Sequence, residues 1–194
     1  HLGFILGPRI NAGGRVGDSR IGVKLLTSSL EYESNVFSKK LCDYNNARKS
    51  IERKVEIEAL RQVDESSEDI ICVHNKDWHP GVLGIVASRL TEKFNRPSIV
   101  ISENSQICTA SCRSVKSFNM GDFIIKAVKD GKLISGGGHK MAGGFTIDML
   151  DIQEFKNYLR KKFFKNKLDL HKRFECELKL SNISVILYHE IQKF

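Results

Sequence analysis

Between Glu31 and Val63 the sequence contains neither glycine nor proline, and Phe37, Leu41, Tyr44, Ile51 and Val55 recur at three- and four-residue steps. That spacing predicts one amphipathic helix. At about 1.5 Å of rise per residue, roughly thirty residues span about 45 to 50 Å. Such a helix bridges two lobes. Its polar face carries Lys39, Lys40, Arg48, Lys49, Arg53 and Lys54, partly balanced by Glu52 and Glu56. Everything else is ordered by which end of this helix it joins.

Ahead of it, apolar LGFIL runs into GPRINAGGRVGD, whose glycines, proline and asparagine predict a loop. Asp18 then reads as the N-cap of a short helix carrying Ile21, Val23, Leu25 and Leu26. The chain opens on His1, without an initiator Met, and is expected to be cut from a longer protein.

Behind it, polar Asp64 to Asp69 marks the boundary, and a new alternation of elements begins. Strands are predicted at 70–74, 98–102, 106–110 and 144–147, and helices at 82–94, 123–129 and 152–164. The fold class is α/β, a compact mixed-sheet domain preceded by a long connecting helix. Four segments follow: 1–30, the helix 31–66, the sheet domain 67–170 and a connector 171–194. Lysines and arginines crowd Lys156 to Arg173 against Asp169 alone. Beyond them, Phe174 to Leu180 reads as a strand, and Ser181 caps a last helix with Ile183, Ile186, Leu187 and Ile191.

Charge narrows the partner. A net charge of +8 and a pI near 9.3 favour a polyanion. No apolar run is long enough to span a bilayer and no signal segment opens the chain, so a cytoplasmic protein without membrane contact, monomeric by default, is expected. The five cysteines are scattered without a CxxC pair, which argues against zinc and against a disulfide framework.

Four clusters could carry chemistry. Arg9 and Arg15, with Asn11 between them, could fork onto phosphate oxygens, or could pair with neighbouring helices. Trp78, His79, Pro80 and Gly81 precede a helix start, where the macrodipole favours an anion; Trp78 itself reads as a packing anchor, and His79 as either packing or contact. Ser111, Arg113 and Ser114, placed just after a strand, could hold a terminal phosphate, although basic residues at strand ends are common on surfaces. Gly136, Gly137, Gly138 and His139 read as a turn exposing N–H groups before a helical start, with the histidine as a proton mover or hydrogen-bond donor at its rim. A tight strand-to-helix turn would use the same glycines for geometry alone. The histidines are isolated, and no carboxylate pair has two-metal spacing.

PRINAGGR at 8–15, DWHPGVLGIVASRL at 77–90, SCRS at 111–114 and GGGHKMAGGF at 136–145 occur in an order that resembles the RecJ-type exonucleases of the DHH phosphoesterase superfamily, which degrade single-stranded DNA from the 5′ end. The resemblance covers nearly the whole chain. It implies that 1–30 is the end of a DHH lobe, that 67–170 is a DHH-associated lobe, and that 171–194 leads toward an oligonucleotide-binding barrel. It further implies that the ligands for two Mn2+ or Mg2+ ions belong to the preceding part of the DHH lobe, so that this chain holds no metal and no catalytic residue and is inactive alone. Arg9 and Arg15 would touch the DNA backbone, and Ser111 and Arg113 the 5′-terminal phosphate. His79 and Gly81 would line the cleft, and the GGGH turn would close over the scissile phosphate, with His139 positioning rather than acting as base. Ala110 departs from the glycine more usual there and is expected to narrow the backbone approach. A relative acting on short oligoribonucleotides or cyclic dinucleotides, and a non-catalytic RNA-binding appendage, are the alternative readings.

Overall fold

A computed structural model describes residues 2–64, 70–163, 177–179 and 182–192. A π-helical turn, Leu2–Leu6, leads into helix α1, Gly7–Val16, followed by α2, Arg20–Thr27, and the 32-residue α3, Glu31–Gln62. The PRINAGGR stretch is therefore helical where its composition predicts a loop. Pro8 sits in the first turn, where its missing N–H removes no helical bond. The glycines serve contact: a Cβ on Gly13 would fall 2.6 Å from Asp18 O, and one on Gly17 would fall 2.5 Å from the Tyr44 ring. Asp18 does not cap α2 as its N-cap residue, which is Ser19, but its carboxylate accepts from Arg20 N at 2.9 Å and from the Arg20 guanidinium.

The long helix works as its length predicts. Its first half seats α1 and α2, with Leu41 buried beside Gly13. Its second half buries Val55 and Ala59 against the sheet domain. Arg89, on the facing helix, pairs with both Glu52 and Glu56, and Glu52 also accepts from Arg48 Nη1 at 2.5 Å.

The sheet has the order β1-β2-β3-β5-β4, with strands β1, Ile71–Asn75; β2, Ser98–Ser102; β3, Ile107–Arg113; β4, Ser135–His139; and β5, Ala142–Asp148. Among the described strands only β1 and β2 pair in parallel, joined through a 3-10 turn at Pro80–Val82 and helix α4, Leu83–Phe94, and the other pairings are antiparallel. Helices α5, Met120–Lys129, and α6, Ile152–Phe163, bury Ile124 and Phe155 on one face, against Ile99, Ile101, Cys112, Phe145 and Ile147. The opposite face packs Val73 and Val100 against Leu83, Val86 and Leu90 of α4 and against fully buried Trp78. At the β1 edge, Gln62 donates to His74 O at 2.9 Å and accepts from His74 N at 3.2 Å, so the end of α3 takes the place of a pairing strand.

Two predictions change here. Strand β3 runs on through Arg113, so Ser111 and Arg113 stand in the strand rather than after it. SGGGHKMAGGF is a β-hairpin turning at Lys140 and Met141, not a turn into a helix. The reason is the α5 seat: a Cβ on Gly136 would fall 2.8 Å from Ile124 Cγ2, one on Gly143 2.4 Å from Ile124 Cδ1, and one on Gly121 2.8 Å from Gly138 O. Glycines that look like turn formers instead let a helix lie against an edge hairpin. Helix α7, Val185–Ile191, holds Ile186, Leu187 and Ile191 of the last predicted helix but leaves Ile183 outside, and its N-cap is Ser184, whose hydroxyl accepts from Leu187 N at 3.2 Å, rather than Ser181; of the predicted 174–180 strand only 177–179 are described, and they are not strand.

Candidate nucleic-acid interface

Because β-strand side chains alternate between faces, the strand register fixes what shares a surface. On the α4 side one row runs Ser98, Arg113, Ala142, His139 and the next Val100, Ser111, Gly144, Gly137. With strands about 4.8 Å apart, Arg113 and His139 stand roughly 10 Å from each other across β5. Only small residues lie between them. Helix α4 packs over β2 and β3, while Ala142, Gly144 and Gly137 remain half-buried and His139 exposed.

Arg113 lies against the first turn of α4. The point where a Cβ on Gly84 would stand is 3.2 Å from Arg113 Nη2 and 3.0 Å from Ser111 Oγ, so a larger residue would displace both. Arg113 Nη1 donates to Cys112 O at 2.8 Å, which holds the guanidinium at the strand end. No side chain caps α4, so its N-terminal dipole adds to the arginine's charge. On the other side of β3, burial pushes the Cys112 thiol pKa up and keeps it neutral beneath this surface.

The WHPG loop joins the same corner. Trp78 is the packing anchor, donating from Nε1 to Glu58 Oε2 at 2.8 Å, while its carbonyl accepts from Ser102 Oγ and Asn104 Nδ2. His79 Nδ1 accepts from Gly81 N at 3.1 Å, which leaves Nε2 as the ring's donor. Arg15 Nη1 donates to Gly81 O at 3.1 Å. A Cβ on Gly81 would fall 2.0 Å from Arg15 O, so this glycine is required where α1 meets the loop.

The remaining candidates stand apart from this corner. Arg9 Nη1 donates to Ile5 O at 2.6 Å in the preceding turn. Asn11 is exposed one helical turn before Arg15. Ser114 is buried; its hydroxyl donates to Phe118 O and its N–H to Met141 O, so it closes the turn after β3. Gly136 and Gly138 have no room for a side chain. The Ala110 methyl belongs to the core on the α5 side, so it does not narrow the Arg113 surface. Gly84 and Gly144 escaped the sequence reading as contributors. A lone helical glycine carries no signal by itself, but the alternation Thr109, Ser111, Arg113 against Cys108, Ala110, Cys112 could have assigned the faces.

Among the described residues no three His, Cys, Asp or Glu side chains gather as a metal site. These residues do not fit a metal pair. No described helix is long and apolar enough to cross a membrane.

A five-stranded mixed sheet reached by a long helix is also what known proteins share with this chain. Residues 68–165 match the DHHA1 domain, and the chain belongs to the DHHA1 family. Within it the chain is of RecJ type: it is 36% identical over 156 residues to the single-stranded-DNA-specific exonuclease RecJ of Escherichia coli, covering 76% of this chain and 27% of that protein. The Mn2+ complex of Thermus thermophilus RecJ superposes with a TM-score of 0.77 at 28% identity, covering 85% of this chain and 24% of that one. The Mg2+ complex of the same protein gives 0.75 at 29%, covering 84% and 25%. The chain thus spans about a quarter of the length of these relatives.

Proposed function

We propose that this chain positions the 5′ end of a single DNA strand within a RecJ-type exonuclease, a hydrolase of phosphodiester bonds. One observation carries the reading. Motifs separated by more than a hundred residues in sequence converge at the first turn of α4, where Arg15 bonds the Gly81 carbonyl, Gly84 underlies Ser111 and Arg113, and Arg113 shares a sheet row with His139.

Chemically the corner is an anion seat. Arg113 offers a guanidinium fork, Ser111 a hydroxyl, and the α4 N-terminus a positive dipole, which together suit a terminal phosphate dianion. His139, about 10 Å away on the same face, is a second donor toward the strand. The chain's own residues bind and orient; residues 1–30 complete the DHH lobe, 67–170 form the substrate-binding lobe, and the metal-dependent cleavage belongs to the DHH lobe. Repair and recombination of DNA in the cytoplasm are the setting such an activity serves. Arg113→Ala should weaken binding of 5′-phosphorylated single strands about ten- to a hundredfold, the range of a charge-assisted hydrogen bond. Strands ending in a 5′-hydroxyl should lose little. Equal losses on both ends, measured by fluorescence anisotropy, would reject the phosphate seat.

A further inference from the structure

Charges on α3 are sorted by the fold rather than balanced. The glutamates of its second half turn inward: buried Glu52 pairs with Arg48 and Arg89, Glu56 pairs with Arg89, and Glu58 accepts from Trp78 Nε1. Lys39, Lys49, Arg53, Lys54 and Arg61 are exposed, and among the described residues no ion pair holds any of them. At about 100° per residue they fall within one arc of about 140°. Asp43 is the acid exposed on that arc. Buried Leu41, Val55 and Ala59 lie on the opposite side, so the cationic face points away from α1, α4 and the Arg113 corner. A helix face that only meets water carries both signs, laced by pairs one turn apart. This one carries mostly a single sign, with its charges left open.

We infer that the outer face of α3 is a second binding surface for single-stranded DNA, a polymer taken from the reading above, and that it holds the strand by its phosphates away from the 5′ end. From Lys39 to Arg61 the row runs roughly 33 Å at about 1.5 Å per residue. Over that length, about one turn of B-DNA, each backbone of a duplex winds once around its axis and leaves a straight row. A flexible single strand can follow it. Tyr32, 80% exposed on the same arc, adds a platform for an unpaired base at the N-terminal end, and cations beside an exposed aromatic are what a single strand needs from a sequence-independent surface. Because α3 itself separates this face from the corner, a strand lying here does not have to present an end.

A circular single-stranded DNA has no 5′ end and so separates the two surfaces. The 194-residue chain should bind the circle, and bind it more tightly than a closed duplex circle of the same length. Lys49→Gln, Arg53→Gln and Lys54→Gln together keep good helix formers at exposed positions, so the melting temperature should hold. On the circle, the slope of log affinity against log salt should become shallower by about 2, at about 0.7 for each phosphate released. A control that removes the same charge, Lys116→Gln, Lys126→Gln and Lys129→Gln, all exposed in or just before α5, should change circle binding little, and so should Arg113→Ala. No binding of the circle by the unsubstituted chain, an unchanged slope in the α3 variant, an equal loss in the α5 control, or equal binding of the duplex circle would overturn the inference. The 5′-end reading survives each of these results. It fails on different grounds, if linear strands with a 5′-phosphate and a 5′-hydroxyl bind alike.

Discussion

Protonation at single residues ties the fold to pH. Packing against the α5–α6 core pushes the Cys72 thiol up to about 12 from 9.0, and burial pushes Cys112 upward as well. Tyr158 rises to about 12 from 10.0, through desolvation first and then its 2.8 Å bond to Asp130. These groups keep protons in the folded chain that the unfolded chain releases near pH 9 to 10. Their stabilisation is therefore complete below about pH 9 and is lost as pH rises toward 12. Urea midpoints should hold steady through neutral pH and decline across that alkaline window, and Tyr158→Phe should flatten the upper part of the decline. An unchanged midpoint to pH 12 would contradict the assignment. Residue identity alone could not have foretold these shifts, because Cys72, Cys108 and Cys112 acquire their environment only when β1 and β3 are paired through β2.

Elements read from the sequence with unequal success, and the misses share a cause. The long helix, α4, β2 and α6 follow periodic apolar patterns and fall within two residues of their predicted bounds. PRINAGGR and SGGGHKMAGGF were misread because glycine marks both turns and tight contacts. What decides between them is the atom each glycine lies against, on Asp18 and Tyr44 in one case and on Ile124 in the other. The candidate residues were legible as motifs. Their division into Arg113, Ser111 and His139 on the open face, against Ser114 turned inward, needed the strand register. The α3–α4 contact gives the elemental prediction. Glu52 is 2% exposed and joins Arg48 and Arg89, so Glu52→Ala should cost about 2–3 kcal/mol in denaturant unfolding, below the usual range for a broken buried pair because Arg89 stays half-exposed. Glu56→Ala, at the exposed side of the same pairing, should cost under about 1 kcal/mol. Equal costs would mean that Glu52 does not anchor the helix.

At the scale of the whole molecule, the long helix sets the relation between the α1–α2 unit and the sheet domain, and Arg15 on Gly81 O joins the two beside the proposed phosphate seat. With a net charge of +8, long-range attraction to a polyanion adds to this local seat. The two contributions separate by salt: each neutralised phosphate of a single strand contributes about −0.7 to the slope of log affinity against log salt. The most direct test is equilibrium binding of one single-stranded oligonucleotide with a 5′-phosphate or a 5′-hydroxyl, across a salt series. The phosphorylated strand should bind more tightly at every salt concentration and fall more steeply. Identical affinities and slopes for the two ends would contradict a 5′-phosphate seat at Ser111 and Arg113.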